Sequence, residues 1–161
     1  MAIDKKRGKA EGPSRAELVE HLVRCMEQQG LTIEAADAPG YRKPGHIKQG
    51  LRRSRLRPDV VARDGRRTIF GVAKSEAEAS EAHVPDQLET FAGKCRMLVI
   101  CIPKQAANQA VDTVFHNVDM QLSRKMRLLR HPDANWREVP RRSQATKPAT
   151  FDPRVVVVER D

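Results

Sequence analysis

The stretch Pro58-Asp59-Val60-Val61-Ala62-Arg63-Asp64-Gly65-Arg66-Arg67-Thr68-Ile69-Phe70-Gly71-Val72-Ala73-Lys74 decides how this chain is read. Two apolar runs, one from Asp59 to Ala62 and one from Thr68 to Ala73, flank Asp64-Gly65, a strong hairpin signal because glycine accepts the positive φ that tight turns require. The spacing predicts adjacent antiparallel strands joined by a loop of about four residues over 64–67. In that register Asp59 lies across from Val72, and Lys74 shares the face of Val72 because strand side chains alternate with period two. An acid and a lysine therefore converge at one end of a sheet.

Working outward, Ser14 and Glu17 fit a capping box, and Leu18, Val19, Leu22, Val23 and Met26 repeat at helical spacing until Gly30. Leu31, Ile33 and Ala35 alternate with polar neighbours and predict a half-buried strand. Residues 38–57 are rich in Pro, Gly and Arg and read as a long functional loop. Pro85 opens a short helix carrying Leu88, Phe91 and Ala92 on one face. The unbroken apolar run from Met97 to Ile102 predicts a buried central strand. Ala107, Ala110, Val111, Val114, Phe115 and Val118 then predict a second long helix, and Met126, Leu128 and Leu129 a short element. The order α-β-β-β-α-β-α gives an α/β (α+β) class, a mixed central sheet flanked by helices. The expected organisation is a basic arm over 1–13, a domain over 14–122, and a basic, Pro-rich extension over 123–161 with a late strand at 154–159.

Of 161 residues, 30 are Lys or Arg and 21 are Asp or Glu, a formal charge of +9. The excess is localised: residues 41–67 hold ten basic residues against two acidic, and residues 121–147 hold eight against two. Arg42, Lys43, Lys48, Arg52, Arg53, Arg55 and Arg57 form the denser block, suited to the phosphates of a nucleic-acid backbone. No run of about 18 apolar residues occurs and no apolar stretch follows the charged N-terminus, so no membrane partner is expected and the cytoplasm is the expected location. Cys25, Cys95 and Cys101 have neither disulfide nor zinc spacing and read as buried thiols. His46, His83 and His116 are isolated, and no GxSxG, GxGxxG or GxxxxGK[ST] loop is present.

Asp59, the Val72-Ala73-Lys74 triplet and the element order together resemble the PD-(D/E)xK nuclease superfamily, the restriction-endonuclease-like fold with its αβββαβ core. The resemblance covers roughly residues 14–118. It implies a phosphodiester hydrolase in which the first acid, Asp59, and the carbonyl of Ala73 bind Mg²⁺, while Lys74 positions the attacking water. Mg²⁺ prefers oxygen ligands and stabilises charge developing on a phosphate. The resemblance also implies a polar helix residue aimed at the site, matched by Gln87, and it is compatible with a homodimer. Val72 departs from the pattern, because it stands where the family has Asp or Glu and cannot ligate a metal.

Three outcomes stay open. The metal site is lost and the domain binds DNA without cutting it, or Glu76, with Glu78 behind it, supplies the missing acid as a metal ligand, or Glu20 of the first helix does. The corresponding functions are a DNA-binding protein with weak or lost nuclease activity, a Mg²⁺-dependent nuclease with a relocated acid, and, apart from both, a non-catalytic protein-interaction module.

Overall fold

The structure, a computed structural model, describes residues 12–49, 52–53, 56–79, 81–105, 112 and 115–139. The arm through residue 11, Arg55, most of the helix expected over 107–118 and the strand expected over 154–159 lie outside the described residues.

Helix α1 (Arg15–Gln28) starts at the predicted capping box. The Ser14 Oγ accepts the Glu17 N–H at 3.2 Å, and Glu17 Oε1 accepts the Ser14 N–H at 2.8 Å, so two otherwise unpaired backbone donors are satisfied. Gly30, at φ +88°, turns the chain into strand β1 (Thr32–Ala36). Within the stretch expected to be a long functional loop, β2 (Lys48–Gln49) and β3 (Arg52–Arg53) pair antiparallel as a small separate sheet. Strands β4 (Val60–Asp64) and β5 (Arg67–Ala73) form the predicted hairpin, in register from Val60 opposite Gly71 to Asp64 opposite Arg67, with Gly65 at φ +64° in the turn.

The acidic connector contains a single helical turn, α2 (Glu76–Ala79), and α3 (Val84–Ala92) follows with Pro85 in its first turn. Strand β6 (Met97–Pro103), the short helix α4 (Met120–Ser123), β7 (Met126–His131) and β8 (Arg137–Glu138) complete the described chain. The main sheet runs β1-β4-β5-β6-β7-β8 and is mixed: β5, β6 and β7 are parallel, and the other pairs are antiparallel.

Strand β7 pairs with β6 along Leu98–Pro103 and extends the sheet past residue 122. The apolar run of β7 is interrupted by Arg127 and Arg130, so its strand signal is weak in isolation. Parallel pairing to a buried neighbour supplies what the local pattern lacks.

The sheet separates two cores. Leu18, Leu22 and Met26 of α1 pack with Val60, Ala62, Ile69, Val99 and Cys101 on one face, while Val84, Leu88 and Phe91 of α3 pack with Val72, Leu98, Ile100 and Ile102 on the other. Consecutive β6 residues thus enter opposite cores, which is why that strand is continuously apolar. Gly71 lets α1 approach closely, since a Cβ there would meet Leu22 Cδ2 at 2.7 Å. All three cysteines are buried and unbridged, as expected, and burial raises the thiols of Cys95 to about 11 and Cys101 to about 12. Among the described residues no helix is long and apolar enough to cross a membrane.

Candidate functional site

Asp59 lies immediately before β4 and is 4 % exposed, one of the few buried ionisable side chains described. Its backbone N–H donates to the Gly71 carbonyl at 2.9 Å, and its Oδ2 accepts the Ala73 N–H at 2.7 Å. The acid is therefore held against the end of β5, as the hairpin register predicts. Its other oxygen, Oδ1, accepts from the Arg15 guanidinium at 2.5 Å.

Arg15 bridges two acids, with Nη1 3.4 Å from Glu78 Oε2. Burial works against the Arg15 charge, yet Asp59, then Glu78 and Asp37, outweigh it and hold the guanidinium above its ordinary pKa. As the first residue of α1 this cation faces the positive end of the helix dipole, a position that disfavours positive charge. Its compensation comes from Asp59 and Glu78. The capping box fixes the first turn of α1 and with it the direction of Arg15.

Glu78 is held from its own side as well: its Oε1 accepts the Ser75 N–H at 2.9 Å, and Ser75 Oγ accepts the Glu78 N–H at 3.2 Å. Burial would raise the Glu78 carboxyl, but the Ser75 hydrogen bond together with Arg15 and Lys74 draws it below the usual range. Lys74 leaves β5 on the α3 side, and its Nζ donates to Gln87 Oε1 at 2.8 Å. Burial lowers the pKa of Lys74, and Arg15 adds to this against the opposing pull of Glu78, Asp59 and Glu81. The stem of Lys74 borders a small apolar cavity with Ala79, Val84, Leu88, Ile100, Ile102 and Phe115.

The structure thus gathers Asp59, Lys74 and Gln87 into one cluster. Of the candidate replacement acids, Glu78 enters it through Arg15, while Glu76 and Glu20 are exposed. Val72 is 2 % exposed and buried in the α3-side core. Sequence reasoning missed Arg15, whose pairing with Asp59 spans 44 positions.

Mg²⁺ takes oxygen ligands in a near-octahedral set and usually keeps several waters. Both Asp59 oxygens and both Glu78 oxygens face N–H donors, and Val72 offers no oxygen. Among the described residues no group of three or more His, Cys, Asp and Glu is placed to hold a metal ion. What the cluster does chemically is balance two carboxylates with an internal cation and fix a partly buried lysine against an amide.

In the basic block, local acids take up part of the charge. Arg57 Nη2 is 3.6 Å from Asp37, Arg63 Nε is 2.8 Å from Glu34, and Arg42 Nε donates to the Glu34 carbonyl at 3.4 Å. Lys43 is exposed, and Lys48, Arg52 and Arg53 lie on β2 and β3. No protein-family model, no curated protein and no solved structure matches the chain.

Proposed function

We propose that this chain is a restriction-endonuclease-like, PD-(D/E)xK-type domain that binds DNA and has exchanged its metal site for an internal ion-pair cluster. The observation that carries the reading is the Asp59 carboxylate, buried at the end of a β-hairpin beside Lys74 and neutralised by Arg15. The nearness of this acid and lysine supports the motif reading, and the Arg15 guanidinium on the Asp59 carboxylate supports the loss of a divalent cation there. The basic blocks support a polyanionic partner, since each neutralised phosphate releases condensed counterions.

The nuclease alternative draws on one feature, the presence of Glu78 beside Arg15, which supplies a second carboxylate once the arginine is removed. Both readings are tested by incubating the protein with labelled duplex DNA in Mg²⁺ or Mn²⁺. Binding without cleavage is expected from the wild type. Cleavage that disappears in both Asp59→Ala and Lys74→Ala would establish the nuclease reading instead.

A further inference from the structure

At the end of the sheet opposite Lys74, a groove of about 540 Å³ runs along the β4–β5 turn and the starts of β6 and β7. Its walls carry five cationic side chains, Arg67, Arg96, Arg124, Lys125 and Arg127, against one carboxylate, Asp64. Arg67, Arg96 and Arg124 make no ion pair with any described residue. Arg57 and Arg63, by contrast, pair with Asp37 and Glu34. The groove also contains Trp136, the chain's single tryptophan, partly buried against the α1-side core. The neighbouring Asn135 is tied to α1 through Gln29 Nε2, 3.3 Å from Asn135 Oδ1.

Two parts of the sequence meet here: Arg67 belongs to the first basic block, and Arg124, Lys125 and Arg127 belong to the second. Folding joins them across β6. The seven residues of β5 separate this groove from Lys74 by about 20 Å, so it is not part of the Asp59 cluster.

We infer that this groove binds a single strand of nucleic acid, with its arginines on successive phosphates and an unpaired base stacked on Trp136. The inference rests on the reading of the chain as a nucleic-acid binder and adds the surface and the strand form. Uncompensated arginines match phosphate geometry, and a rigid aromatic among them is what an unpaired base requires, because a base inside a duplex has both faces covered. A patch serving only a free phosphate would need no aromatic platform.

Trp136 is its own probe. Titrating the full chain with oligo-dT should quench and shift its emission, and the affinity should fall with salt at about −0.7 in log K per log salt for each phosphate engaged. Arg96→Glu and Arg124→Glu should each weaken binding by roughly tenfold or more, whereas Arg24→Glu, the same charge change on the outer face of α1, should not. Trp136→Ala should weaken binding roughly 5- to 150-fold, and Trp136→Phe, which keeps a stacking face and the packing, should restore most of it. Inorganic tripolyphosphate should compete with the strand without quenching.

Unmoved tryptophan emission with wild-type affinity in both arginine variants would overturn the inference. If anisotropy of a labelled oligonucleotide still reported binding, the DNA-binding reading would survive that result. Absence of binding to any labelled single or double strand would overturn both.

Discussion

Arg15 and Asp59 are 44 positions apart in sequence, and their pairing places a cation on the buried acid. Arg15→Ala leaves Asp59 buried with only the Ala73 N–H as a partner for its side chain. Loss of a partner to a buried charged group costs roughly 1–3 kcal/mol, and because the Arg15 side chain is 47 % exposed the low end, about 1 kcal/mol, is expected in urea melts. Glu78 gives a pH signature. Its folded carboxyl lies below the ordinary 4.5, so its contribution to stability is complete above that value and is lost as pH falls through the depressed folded pKa. Glu78→Gln should therefore flatten the acid limb of a stability–pH curve and leave the neutral region's slope unchanged. Lys74 moves in the other direction: burial lowers its pKa, so after reductive methylation its NMR signal should titrate below 10.5. At this scale the convergence of Asp59 and Lys74 was legible from strand register, whereas Gln87 came only from the family resemblance. Arg15 was not, because its role depends on a long-range contact that no local period encodes. The same holds for the choice of Glu78 over Glu76: Ser75 caps α2 and turns Glu78 inward, a detail of one helical turn.

Among the described residues, three elements with a strong apolar or turn signal form where the sequence puts them. The stripe Leu18, Leu22, Met26 defines α1, the Asp64-Gly65 turn sets the β4–β5 register, and the unbroken β6 run enters both cores. The elements that escape a local reading are short or arginine-interrupted: β2 and β3 have two residues each, and β7 is defined by its parallel partner. Two substitutions test how the elements hold the cluster. Ser14→Ala removes the helix cap and should cost about 1 kcal/mol. Gly71→Val drives a side chain into Leu22 and Met26 and should cost roughly 1–3 kcal/mol as an overpacked core. Val72→Glu addresses the missing ligand directly. Because Val72 is inside the α3-side core and Arg15 already neutralises Asp59, calorimetry should show no Mg²⁺ uptake by this variant alone. Uptake by the single variant would mean that the arginine yields readily to a cation.

At the scale of the whole molecule, the charge pattern takes its meaning from the fold. The sequence shows two basic blocks far apart; the sheet brings Arg67 into one groove with Arg124 and Arg127, while Arg57 and Arg63 pair with Asp37 and Glu34. Composition could reveal the excess of +9 but not which arginines stay uncompensated, since that follows from strand order. The proposed function rests above all on one physical premise, that an uncompensated basic surface binds a phosphodiester backbone. It is tested most directly by fluorescence anisotropy of a labelled DNA oligonucleotide over a salt series. The account predicts measurable binding at low salt with log K falling linearly in log salt, at a slope of about −2 or steeper, as expected when three or more phosphates are engaged. A slope near zero, or no binding at low salt, would contradict it.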